Sequence, residues 1–297
     1  MTTLEISQPL LRSGNLLGEG PLWHPIRKQL FWLDILEGQI HRCNAGGDDH
    51  QVQALTSMPG SLHLTPNPNL LWVTTSNGLV QFNIESGHCE QAPLQVPLNE
   101  NMRFNDGKTD PQGRLWAGTM HMQGNQPCGD LLRIDNSGLA VIKDKQTIPN
   151  GLTWTKAGDT FYHIDSATRQ IKAYNFAITT GEIDDERTVL DFQGNIAEPD
   201  GMTIDQRGRL WVAFWDAAEV RCCDPVSGKV VLTVKVPVPR PTSCCFGGDD
   251  LNDLFITSAR KGLSQEALEQ APMSGDLFHI RLDCAGYAEQ VCTLQLP

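Results

Sequence analysis

The sequence predicts an all-β chain, a six-bladed β-propeller with four-stranded blades, and three observations predict it. Six short apolar segments carry an aromatic residue at the same place: Trp32, Trp72, Trp116, Tyr162, Trp211 and Phe255. Their spacings are 40, 44, 46, 49 and 44 residues. Each follows a turn-forming stretch, such as "TPNPN", "DPQGR" or "DQRGR", and no helical periodicity is sustained outside "SQEALEQ" near residue 265.

Each repeat reads in the same order. A first strand ("GPLW", "SLHL", "NDGKTD", "NGLTW", "DGMTID", "TSCCF") precedes the turn, and the aromatic strand follows it. A third strand comes next, as in "GQIHRC", "GLVQFNI" or "QIKAYNF", and then a weaker fourth. A four-strand unit of about 40–50 residues is the signature of a propeller blade. The end segments "LEISQPLL" and "EQVCTLQLP" are expected to complete the ring together, removing exposed sheet edges. Two β-sandwiches would need a boundary near the middle of the chain, and no linker lies there. Residues 1–297 are therefore read as one propeller domain.

Composition narrows the function. Of 297 residues, 40% are hydrophobic and 20% charged, as in a globular protein, and 27 glycines with 18 prolines imply many turns. A net charge of −12 argues against nucleic acid and anionic membranes as partners. No run of about 18 apolar residues occurs, so no transmembrane helix is expected. "MTTLEISQPLL" lacks a basic region followed by a long apolar core, so no signal peptide is expected either. Nine cysteines, including the adjacent pairs Cys222-Cys223 and Cys244-Cys245, with no CxxC spacing, read as reduced buried thiols of a cytoplasmic protein.

The repeat supplies a register. Counting back from each aromatic, Glu19 stands 13 residues before Trp32, Ser61 11 before Trp72 and Asn105 11 before Trp116. Asn150 stands 12 before Tyr162, Asp200 11 before Trp211 and Ser243 12 before Phe255. The first strand of a blade lines the central channel, so these six oxygen-bearing residues are expected to converge at one mouth. Two carboxylates crowded there repel, and a divalent cation relieves the repulsion. An all-oxygen donor set suits Ca²⁺, Mg²⁺ or Mn²⁺, and admits Zn²⁺ or Fe²⁺ where water completes the shell. Singly, "NDG", "PNG" and "PDG" are also ordinary turn signals. A turn is already supplied about five residues later in every blade, which favours the site reading.

Two connections on the same face are long, 119–130 in blade three and 258–276 in blade six, and such loops shape substrate pockets. Arg103, two residues before Asn105, is placed to hold a hydroxyl or carboxylate, or else to pair with Glu100 or Asp106. His121 and Gln123 are polar candidates in the first long loop, and His63 reads as a packed or hydrogen-bonded histidine.

With these residues placed, the chain resembles the gluconolactonase and regucalcin (senescence marker protein) family of six-bladed propellers. The likeness runs through "GEGPLW", "RFNDGKTDPQGRLWAGTM", "IPNGLTW", "EPDGMTID", "TSCCFGG" and "TSARKGLS", which together span nearly the whole sequence. The resemblance implies one divalent metal held by Glu19, Asn150 and Asp200, substrate binding by Arg103 and Asn105, and hydrolysis of sugar lactones to aldonic acids. In regucalcin-like members an acidic residue in the blade-three loop meets the sugar hydroxyls; here that place falls to Gln123. A neutral amide there would lessen repulsion toward an acid-substituted lactone.

Asp200 is assigned as general base, since one of its oxygens can ligate while the other accepts a proton. The expected partner is a small sugar lactone, bound by a monomer or weak homodimer. No GxSxG elbow, HExxH or P-loop offers another route. The rival readings are a non-catalytic calcium-binding regulatory protein, which the same ligands would serve, and a protein-binding propeller.

Overall fold

The computed structural model describes residues 2–96, 98–194 and 196–295. Six antiparallel sheets follow one another along the chain. Blade one comprises Gly18–His24, Gln29–Asp34, Gln39–Asn44 and Gln51–Ala54. Blades two to five start with first strands Pro59–Leu64, Met102–Thr109, Pro149–Trp154 and Glu198–Ile204. Blade six has three strands, Pro241–Gly247, Asp253–Ser258 and Phe278–Arg281. The first strands of neighbouring blades touch around the axis, and that of blade six touches that of blade one, which closes the ring. All six aromatics found in the sequence lie on second strands and are buried between blades. Among the described residues the one α-helix is Gln265–Gln270, capped by Ser264, and no helix is long and apolar enough to cross a membrane. All nine cysteines are free thiols, most of them buried.

The two ends of the chain do different work. Thr2–Glu5 pairs in parallel with Lys229–Lys235 on the outer edge of blade five. Leu11 then bridges Leu277 beside the third strand of blade six, so the N-terminal segment ties these two blades together. The C-terminal segment does not join that sheet, contrary to expectation. It crosses beneath blades two and three, where Val291 bridges Leu64 and the Thr293 N–H donates to the Gly113 carbonyl. On the way, Glu289 accepts a hydrogen bond from Lys108 Nζ at 3.2 Å inside the channel. The Glu289 carboxylate and Asp106 together answer the charge of Lys108, whose partial burial would otherwise be costly.

Every first strand carries a register irregularity at the residues the repeat singled out. Two positions oppose one, or one is skipped, between Glu19 and Leu22, Pro59 and Ser61, Phe104 and Gly107, Asn150 and Leu152, Pro199 and Met202, and Pro241 and Ser243. A β-bulge leaves one residue out of the ladder and re-aims its side chain. The turn-like sequences "NDG", "PNG" and "PDG" encode these bulges. Glycine is required beside them at the axis: a Cβ on Gly201 would lie 2.1 Å from Ser243 Oγ, and Gly20 holds φ at +53°.

Two buried histidines belong to the packing. His63 is bonded to Ser61 Oγ at 2.9 Å and Thr109 Oγ1 at 3.1 Å. His163 faces Gln146 Oε1 at 3.1 Å and stacks on Phe161. Burial pushes each imidazole down to about 3. The folded state therefore keeps both neutral where the unfolded chain protonates them, so each lowers stability as pH falls below about 6.5. Buried carboxylates with raised pKa act in the opposite sense, so the histidine contribution is isolated by comparison. The urea-unfolding free energy of His163→Gln, followed from pH 7 to 5, should fall less steeply than that of the parent, by roughly 1.4 kcal/mol per pH unit. Equal slopes would mean that His163 is charged in the fold.

Candidate active site

Four of the six register residues line one cavity of about 200 Å³ at the mouth of the channel: Glu19, Asn105, Asn150 and Asp200. Arg103 lines it too, and Gln123 reaches its rim. Ser61 and Ser243 do not. Ser61 Oγ bonds Thr74 Oγ1 at 2.8 Å as well as His63, and Ser243 faces the deeper channel. Their side chains are too short to reach the mouth once the bulge has turned them toward a neighbour. His121 also stays off the cavity lining; its Nδ1 accepts the Gln123 N–H at 3.3 Å within the loop.

A directed chain of hydrogen bonds crosses three blades and fixes the amides. Arg103 Nη1 donates to Asn105 Oδ1 at 2.7 Å and to the Phe104 carbonyl at 2.8 Å. Asn105 Nδ2 donates to Asn150 Oδ1 at 2.8 Å and to the Pro149 carbonyl at 2.9 Å. Asn150 Nδ2 donates to Ser166 Oγ at 2.8 Å, and the Ser166 hydroxyl donates to the Pro199 carbonyl at 2.6 Å. Asn150 Oδ1 keeps a second lone pair for another partner. Arg103 thus serves the amide chain, and neither Glu100 nor Asp106 forms an ion pair with it among the described residues.

The two carboxylates are buried and opposed. Glu19 is pushed up to about 8, first by burial and then by the charge of Asp106. Asp200 is held well above the usual carboxylate range by burial and then by Glu19. Arg103 is brought down to about 10 by burial, against the pull of both acids. Among the described residues Asp200 Oδ1 is buried with no hydrogen-bond partner. A buried acceptor left unpaired beside a second carboxylate is costly, and a cation satisfies both needs at once. Two carboxylates and an amide oxygen are hard donors of the kind that hold Ca²⁺ or a similar divalent ion. Among the described residues no three His, Cys, Asp or Glu side chains cluster, so a metal set built here would have to draw on the Asn150 amide.

The sequence reading missed Ser166, Glu198, Trp215 and Lys261, all of which line the cavity. A signal for one of them was present. Arg103 stands out because it lies two residues before Asn105; the same offset in other blades gives Leu17, Ile148 and Glu198, and all three line the cavity. Glu198 accepts from Arg169 Nη2 at 3.0 Å, so its charge is answered. Trp215 ends the second strand of blade five, and the Arg240 guanidinium lies over its ring at 4.7 Å.

Residues 17–260 match the family described as the SMP-30/Gluconolactonase/LRE-like region. The chain belongs to this family. It is 34% identical over 273 residues to a candidate sugar lactone lactonase, YvrE, of Bacillus subtilis (strain 168), covering 92% of this chain and 93% of that one. It is 34% identical over 275 residues to regucalcin of Danio rerio, covering 91% and 92%. A solved structure described as a calcium-binding protein, regucalcin, of Agrobacterium tumefaciens superposes with a TM-score of 0.94 at 25% identity, over 99% of this chain and 100% of that one. Membership supports lactone hydrolysis as the general chemistry.

Proposed function

We propose that the protein is a metal-dependent sugar lactonase that opens an aldonolactone to its aldonic acid. The observation that carries this reading is the unpartnered, buried Oδ1 of Asp200, opposed to Glu19 and beside the Asn150 amide in one cavity. Glu19, Asn150 and Asp200 would hold a divalent ion, which supplies a Lewis acid for the lactone carbonyl and lowers the pKa of water. Asp200 accepts the proton of the water that adds to the carbonyl carbon. When the ring C–O bond breaks, the same proton passes to the departing ring oxygen, leaving a hydroxy acid. Arg103 commits Nη1 to Phe104 and Asn105, and its remaining N–H groups, which have no acceptor among the described residues, are placed to orient ring hydroxyls. Trp215 and Leu17 supply apolar walls for the sugar's carbon face.

Acid release from a panel of aldonolactones, measured after chelation and after restoring Ca²⁺, Zn²⁺, Mn²⁺, Mg²⁺ or Fe²⁺ singly, tests the proposal. Turnover should fall at least 100-fold on chelation and return with one or more of the ions. The likeness to the calcium-binding regucalcin of Agrobacterium tumefaciens favours a second reading, a calcium-binding protein without catalysis. Metal binding with no acid release from any lactone would establish that reading in place of the first.

A further inference from the structure

We propose that Lys261 selects a sugar lactone that carries an additional anionic group, a carboxylate, beyond the lactone itself. The inference rests on the lactonase reading and deepens it. Lys261 lies in the long blade-six connection and lines the cavity with Arg103 and Trp215. Its backbone is pinned on both sides: its N–H donates to the Leu16 carbonyl at 2.9 Å, and its carbonyl accepts from Arg240 Nη1. Arg240 is itself fixed, by Asp216 Oδ1 at 2.6 Å and by the Trp215 ring below it. The lysine is therefore held over the mouth by a built platform, unlike a side chain on a free loop.

Lys261 forms no ion pair among the described residues, although it is partly buried and close enough to feel both Arg103 and Asp200. Burial and the Arg103 charge both push its ammonium down, against the pull of Asp200. The cavity acids are otherwise engaged: Glu198 with Arg169, and Glu19 with Asp200 in the proposed metal site. Two cations, Arg103 and Lys261, remain to face the ligand, and the rim residue Gln123 brings no opposing charge. A neutral sugar would leave Lys261 desolvated and unanswered. A carboxylate replaces the lost water with a charge-assisted hydrogen bond.

The test compares matched lactones on metal-restored protein: D-glucaro-1,4-lactone against D-glucono-1,4-lactone, which differ only in a terminal carboxylate. A second pair, 6-phospho-D-glucono-1,5-lactone and its unphosphorylated form, asks whether a phosphate is the anion. The parent should favour D-glucaro-1,4-lactone over D-glucono-1,4-lactone at least tenfold in kcat/KM, and 0.5 M salt should shrink the ratio. Lys261→Met should bring the ratio near one, Lys261→Glu should invert it, and Lys261→Arg should retain it. D-glucarate should raise the Tm of the parent and not that of Lys261→Met. Preference for the neutral members, or a ratio unmoved in Lys261→Met, overturns the proposal while leaving the lactonase reading intact. A preference confined to the phosphate pair overturns the carboxylate. Hydrolysis of no lactone by the parent overturns both readings together.

Discussion

Asp200→Asn should abolish lactone hydrolysis and make the metal-free protein more stable. The two effects have one cause. In the absence of a cation, Asp200 is a buried carboxylate close to the charge of Glu19, with no hydrogen-bond donor to Oδ1 among the described residues. An amide of the same shape removes the opposed charge and can turn its Nδ2 toward Glu19. The gain should be on the order of 1–3 kcal/mol at pH 8, or roughly 2–5 °C in Tm. On the proposed mechanism the same substitution removes the proton acceptor and weakens the metal donor set, so kcat/KM should fall by about 10³ or more. Acid release and thermal unfolding of chelated protein read the two effects separately. A stabilised, inactive variant is the signature of strain kept for function. A variant that is destabilised by several kcal/mol would show that Asp200 is a structural residue.

The largest loss of stability is expected far from the cavity, at Asp205. This carboxylate is fully buried at the turn between the first two strands of blade five. Its Oδ1 accepts the N–H groups of Arg207 and Arg209 at 2.8 and 3.0 Å. Its Oδ2 accepts Arg209 Nε at 2.7 Å and Trp211 Nε1 at 3.0 Å. Asp110 repeats the arrangement in blade three with Gln112, Arg114 and Trp116. Asp205→Ala strands an arginine, an indole N–H and two backbone N–H groups, and should cost about 3–5 kcal/mol. That corresponds to a fall in Tm of roughly 5–8 °C. Urea unfolding followed by tryptophan fluorescence measures it; a cost below about 1 kcal/mol would mean that water replaces the carboxylate at no penalty. Asp110→Ala should add to it nearly independently, because the two turns share no partner.

These two aspartates show what could be read in advance and what could not. "DPQGRLW" and "DQRGRLW" were legible as turns before an aromatic strand, because turn chemistry is local. Their second role, pinning the tryptophan they precede, was not read, although the acid and the indole stand only six residues apart. The propeller was legible because its repeat is long and its aromatics regular. The meeting of Glu19, Asn105, Asn150 and Asp200 was legible because one register served every blade. Ser61 and Ser243 shared that register and fell away from the mouth, since a bulge aims a side chain by its own length and its neighbours. Lys261 was hidden for another reason. It belongs to a long connection whose sequence is not repeated in the other blades, and its position depends on Arg240, Asp216 and Trp215 from blade five and its exit. No spacing within one repeat encodes such a contact.

Calorimetric titration of chelated protein with Ca²⁺, and then with each of the other divalent ions, decides whether the cavity is a metal site. One ion per chain should bind the parent, and none should bind Glu19→Gln or Asp200→Asn in the same concentration range. Undiminished binding by both variants would place the ion elsewhere and contradict the assignment of Glu19, Asn150 and Asp200 as its ligands.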